Sequence, residues 1–105
     1  MLRFDPVQGA EIGKTRPAIV VSSPSIGRLP LRIVVPVTEW HVKYATAPWL
    51  IYLKAGARNG LTKDSAADCF QVKSVSATRF VTRLGILRAV EIEEIAAGVA
   101  LCVGV

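Results

Sequence analysis

The sequence predicts a mainly-β fold, a small barrel closed by one C-terminal α-helix over about residues 90–103. Three observations carry that expectation. Short β-branched runs recur along the chain, Gly- and Pro-rich stretches separate them, and the apolar spacing becomes helical only after Val90.

Pro17 to Ser23 and Leu31 to Thr38 are continuous apolar runs rather than alternating ones, as strands covered on both faces require. Pro36 has no N–H for a ladder, so a bulge or a sheet edge is expected beside it. Trp49 to Leu53 alternates weakly. Ser65 to Val75 reads as one longer strand, with Gln71 and Lys73 on the same face, and Arg79 to Leu87 becomes strand at its end. Turn-rich segments lie between these runs, and Asn59-Gly60 is a strong hairpin signal. In the last stretch Ile92, Ile95, Val99 and Cys102 recur near a helical period. Glu91, Glu93 and Glu94 occupy the first turns, where the helix dipole favours anions.

With 105 residues, 51% hydrophobic and 20% charged, the chain fits one domain and is not intrinsically disordered. Its longest uncharged apolar run, Ile95 to Val105, is far shorter than the roughly 18–20 residues of a membrane-spanning helix. Without a recognisable secretory signal, a cytoplasmic protein is expected. A structural zinc site wants four Cys or His ligands, and Cys69, Cys102 and His41 cannot supply them. The two cysteines read as free buried thiols. The net charge of +5 is unevenly spread, with bases throughout the body and only acids in the final helix, which points to a polyanion or an acidic polypeptide as partner.

Candidate chemistry sits at strand ends and in loops. Glu11, Lys14 and Arg16 crowd the turn before the first buried strand, and Pro17 keeps Arg16 extended at the rim. The Arg16 guanidinium is a planar fork of donors suited to a phosphate. Thr38 ends the next strand with a hydroxyl, followed by Glu39 as a possible base and by Trp40, which could stack on a nucleobase. Gln71 and Lys73 could read a base edge and hold a phosphate.

The block Asp5-Pro-Val-Gln-Gly-x-Glu-Ile-Gly-Lys-Thr-Arg-Pro-Ala, then Val-Val-Ser-Ser, Val-Pro-Val-Thr and Gln71-Val-Lys-Ser, resembles the MazF/PemK family of toxin endoribonucleases. The resemblance implies an SH3-like, CcdB/MazF-type barrel, a homodimer and cleavage of single-stranded RNA without a metal or other cofactor. It also implies a cognate antitoxin that binds through a flexible acidic and apolar segment. By position, Arg16 matches the family's catalytic arginine, Thr38 its catalytic threonine, and Glu11 an acid in the first loop that matters in some members. Lys14, Gln71, Lys73 and Trp40 are expected to bind substrate. Only Met1-Leu2-Arg3-Phe4 stands before Asp5-Pro6 here, which predicts either a shortened barrel edge or a true start that lies upstream. Asp68-Cys69-Phe70-Gln71 stands where some members carry a catalytic Arg and Asp, so the Arg16/Thr38 version of the site is expected.

The reaction that follows uses the substrate's own 2′-OH as nucleophile, giving a 2′,3′-cyclic phosphate and a 5′-OH end. Arg16 would neutralise the transition state, Thr38 would donate a further hydrogen bond, and Glu11 would act as base. Two other readings share the barrel. One is a gyrase-poisoning toxin, which acts through a contact face on the terminal helix; the other is an RNA-binding barrel without catalysis.

Overall fold

The computed structural model describes residues 3–9, 14–23, 25, 28–80 and 83–105, with side chains described from Arg16 onward. Its strands are β1 (Arg3–Gly9), β2 (Lys14–Val20), β3 (Leu31–Glu39), β4 (Leu50–Leu53), β5 (Ser65–Asp68), β6 (Lys73–Ser76) and β7 (Gly85–Ile86), and the helix is α1 (Ala89–Val103). All pairings are antiparallel, and the strand order is β4-β5-β3-β2-β1-β7 with β6 also on β3. At the far edge β1 meets β7 only through Arg3–Ile86 and Phe4–Gly85.

The two continuous apolar runs became β2 and β3, and their covering explains their composition. Ile19, Val35 and Val37 face a core shared with Leu53, Leu61, Ala67, Cys69, Leu87 and Ile95 of α1. Ala18 and Val34 turn the other way onto Val75, with Val20 and Phe80 beside them. Both faces of the central strands are therefore apolar, and each fully buried Val, Leu or Ile contributes about 1.5–3 kcal/mol.

One edge of β3 runs along β2. Its other edge pairs with two strands in succession, β6 along Leu31–Val34 and β5 along Val37–Glu39. Uninterrupted pairing from Val34–Lys73 would put Val37 opposite Phe70, but it lies opposite Ala67, so three residues are looped out. They are Cys69–Gln71, which form a single 3-10 turn. The Asp68 carboxylate caps that turn by accepting from the Phe70 N–H at 3.2 Å. The break faces Pro36, as the missing N–H led us to expect. The strand expected over Ser65 to Val75 is thus two strands, and Gln71 and Lys73 do not share a strand face, because Gln71 lies in the turn and Lys73 opens β6.

The barrel is not closed by strand pairing, since β4 and β7 end the sheet without bonding to each other. The segment between β4 and β5 bridges the gap: the Ile86 N–H donates to Arg58 O at 3.0 Å. The Asn59-Gly60 signal marks a hairpin, though a long one, with Leu53 paired to Ser65 across it. Buried Asn59 staples this loop, accepting from the N–H groups of Gly56 and Leu61 and donating to Lys54 O. Gly60 takes φ +72°, a left-handed conformation that glycine adopts at little cost.

Helix α1 begins as its sequence suggests. The Arg88 N–H donates to Glu91 Oε1 at 2.8 Å, and the Arg88 Nε lies 3.4 Å from the same oxygen. It ends at Gly104, at φ +77°. A helix of 15 residues is marginal on its own, so docking through Ile95, which is fully buried, decides its stability. No described helix is long and apolar enough to cross a membrane.

Both cysteines are free, and Cys69 is buried. The Cys69 thiol donates to Ile95 O at 3.5 Å. Burial pushes it up to about 11, helped by Cys102 and Asp68, so at neutral pH it stays protonated and unreactive. Cys69 is accordingly expected to resist iodoacetamide at pH 8 in the native protein and to react once the chain is unfolded. Mass mapping of the labelled cysteines checks this, and equal labelling rates in the two states would contradict it.

Candidate active site

Strands β2 and β3 pair through Ala18–Pro36, Ile19–Val35 and Val20–Val34. Both extend beyond the Ala18–Pro36 pair, and continuing the register places Arg16 opposite Thr38. The two residues that the sequence singled out thus come from adjacent strand ends. Arg16, Pro17, Val37, Thr38 and Glu39 form one wall of a cavity of about 550 Å³. The rest of the lining comes from the bridging loop and the start of β5, through Gly60, Leu61, Thr62, Lys63 and Ser65, and from Leu84. Arg16 and Thr38 are both exposed, so their polar groups are open to a ligand.

The loop wall is held from behind. The Ser65 hydroxyl is buried and donates to Lys63 O at 2.8 Å. Asp64 points away from the cavity, accepting from the Ala55 N–H at 2.9 Å and the Tyr52 hydroxyl at 2.8 Å. Those bonds, that to Ala55 first, hold the Asp64 carboxyl below its usual range, and the bond to Asp64 raises the Tyr52 phenol. The Trp40 N–H donates to Asp64 O at 3.1 Å, tying the end of β3 to the same loop. Of the lining residues, Lys63 and Glu39 form an ion pair, with Lys63 Nζ 3.6 Å from Glu39 Oε1.

The other expected residues are distributed around this centre. Trp40 follows Glu39 directly but does not line the cavity. Its half-buried ring meets Tyr52 edge-on at 5.1 Å and Tyr44 at 5.9 Å. Lys14 opens β2 opposite Gly9, two residues before Arg16. Glu11 lies outside the described residues. Exposed Gln71 and Lys73 are not among the lining residues. Lys73 pairs with Val34, which at strand rise is roughly 13 Å along β3 from Thr38. Among the described residues no cluster of three or more His, Cys, Asp or Glu side chains could hold a metal ion.

Thr62 and Lys63 lie in the turn-rich loop Lys54 to Asp64, from which the sequence leads one to expect specificity, but the sequence does not single them or Ser65 out individually. Their polar run after Leu61 was the available signal, and only the antiparallel pairing of β5 with β3 puts Ser65 opposite Glu39.

Comparison with known proteins adds to this geometry. Residues 1–103 match the model of the PemK-like, MazF-like toxins of type II toxin–antitoxin systems. The chain is 31% identical over 98 residues to the endoribonuclease MazF9 of Mycobacterium tuberculosis, covering 88% of this chain and 80% of that protein. Among solved structures, the Mycobacterium tuberculosis toxin MazF-mt6 superposes with a TM-score of 0.80 at 17% identity, covering 98% of this chain and 97% of the other. A MazE–MazF structure from Deinococcus radiodurans gives 0.74 at 20% identity, covering 97% and 91%. A mycobacterial endoribonuclease in complex with its cognate antitoxin gives 0.73 at 13%, covering 98% and 90%. These structures share the fold of this chain. The match along nearly the whole sequence settles the family: the chain belongs to the PemK-like, MazF-like toxins of type II toxin–antitoxin systems and is an endoribonuclease of that family.

Proposed function

We propose that the cavity between β2, β3 and the bridging loop cuts single-stranded RNA by activating the substrate's own 2′-OH, without a metal ion. The observation that supports this reading is the position of Arg16 and Thr38 together on one open cavity wall. The 2′-oxygen attacks the neighbouring phosphorus, the P–O5′ bond breaks, and the products carry a 2′,3′-cyclic phosphate and a 5′-OH. Charge gathers on the non-bridging oxygens as the fifth bond forms. The Arg16 guanidinium faces that charge with two parallel N–H groups, and the Thr38 hydroxyl adds a third donor. Glu11, which lies between β1 and β2 in the sequence, is the proposed base that takes the 2′-OH proton. Water returns a proton to the 5′-oxygen.

Beyond the scissile phosphate, Lys14 and Lys73 are proposed to follow the RNA backbone, with Gln71 and the edge of the Trp40 cluster meeting bases. The same basic surface suits an acidic and apolar antitoxin segment, and a bound segment would exclude RNA by occupying it. An antitoxin is named with two of the structures of this fold, from Deinococcus radiodurans and from mycobacteria. A homodimer is proposed on the family resemblance and on Leu101, Val103 and Val105, which leave an apolar surface exposed at the end of α1.

Incubation with a long single-stranded RNA in excess EDTA tests the reaction. Discrete cuts are expected, with 5′ ends that a kinase labels directly and 3′ ends that resist polyadenylation until the cyclic phosphate is removed. Cleavage abolished by EDTA, or 5′-phosphate ends, would overturn the proposed chemistry, and a gel shift without cuts would favour a binding barrel.

A further inference from the structure

The cavity carries one ion pair that the proposed chemistry does not use. Lys63 and Glu39 both line it, the first on the bridging loop two residues before Ser65 and the second at the end of β3, where it pairs with Ser65 and lies one residue from Thr38. Their charged atoms are 3.6 Å apart, and the side chains are 69% and 58% exposed. A pair so open to water is worth about 0–1 kcal/mol, too little to account by itself for two long charged side chains meeting at a cavity. It is also easily exchanged. The backbone beneath Lys63, by contrast, is fixed: its carbonyl accepts from buried Ser65, and the next residue, Asp64, is tied to Ala55, Tyr52 and Trp40. An exposed ammonium therefore stands on a fixed backbone, in the cavity that Arg16 also lines.

We propose that Lys63 is a substrate-binding residue that exchanges the Glu39 carboxylate for a phosphate of the RNA, with Glu39 acting as the resident competitor. This rests on the reading of the cavity as the RNA site and adds a second cation to it. With the RNA absent, Glu39 offsets one of the two positive charges in the cavity. As the strand enters, a phosphate next to the scissile one takes the ammonium, and the carboxylate turns to solvent. Glu39 thereby lowers affinity for any anion, and a polyanion that engages Arg16 and Lys63 together overcomes it best.

Binding to a mixed-sequence single-stranded RNA with 2′-O-methyl riboses throughout, which has no nucleophile and is not cut, tests the exchange. Lys63→Ala is expected to weaken binding several-fold and to reduce the salt dependence, log K against log salt, by about 0.7, the loss of one phosphate contact. Glu39→Gln is expected to tighten binding several-fold at low salt, and that gain should vanish in the Lys63→Ala background. Unchanged affinity and slope in Lys63→Ala, or a Glu39→Gln gain that persists in full without Lys63, would overturn the proposal. Cleavage of unmodified RNA by the parental protein reports separately on whether the cavity is the catalytic site.

Discussion

Arg16→Ala is expected to slow RNA cleavage by about two to three orders of magnitude, the loss that follows removal of one preorganised transition-state donor. The size of the effect comes from what the cavity offers. Arg16 is a cation on the β2–β3 wall, and it lines the same cavity as Thr38. The ground-state phosphodiester bears one negative charge and the transition state bears more, so a permanent positive charge there lowers the barrier more than it tightens binding. The loss should therefore fall mainly on the single-turnover rate constant and less on KM. The side chain is exposed, so the melting temperature should stay close to the parental value. Arg16→Lys keeps the charge but loses the fork, and it should recover only part of the rate. Single-turnover cleavage with matched melting curves checks all of this. A parental rate in Arg16→Ala would remove the guanidinium from the mechanism.

The residues that are legible in the sequence are those whose role is decided locally or by a motif. Continuous Val and Ile runs announce strands covered on both faces, and β2 and β3 are so covered. The helical period after Val90 and the early glutamates announce α1, which starts at Ala89. Arg16 and Thr38 stand out because one stands before a proline at the start of an apolar run and the other follows Val-Pro-Val at the end of the next. The three-residue turn at Cys69–Gln71 is hidden, since Ser65 to Val75 is as compatible with one strand as with two. Its one signal is Pro36, on a different strand, and it becomes readable only once β3 is known to face both halves. Lys63 is hidden for a similar reason. A lysine in a polar loop looks like any solvated charge until the loop spans from β4 to β7 and becomes a cavity wall.

Gly98→Ala tests the packing that holds the helix over that turn. In an exposed helix interior the change would stabilise by about 1 kcal/mol, because alanine is the better helix former. Here a Cβ on Gly98 would stand 2.6 Å from Cys69 Sγ and 3.3 Å from Cys69 Cβ, closer than side chains approach without moving. Cys69 cannot yield easily, being fully buried in the core between β3 and α1. Overpacking of this kind costs about 1–3 kcal/mol, so the sign of the substitution reverses and the domain is expected to melt earlier. Gly98→Leu, with no room on that face, should cost more and lift the helix from the sheet. The contact can be isolated by Cys69→Ala, which removes the sulfur while leaving the turn capped by Asp68. Cys69→Ala by itself leaves a small void and should destabilise. Combined with Gly98→Ala, the added methyl occupies the space the sulfur leaves, and the double variant should be more stable than the sum of the two single effects. Urea unfolding of the four proteins measures that coupling. A Gly98→Ala protein more stable than the parent, or strictly additive effects, would mean that Gly98 is not in this chain to let α1 approach Cys69. With the coupling present, a helix-weakening glycine is retained because only its bare backbone lets α1 settle on the turn that separates β5 from β6, and β5 carries Ser65 to its place in the cavity wall.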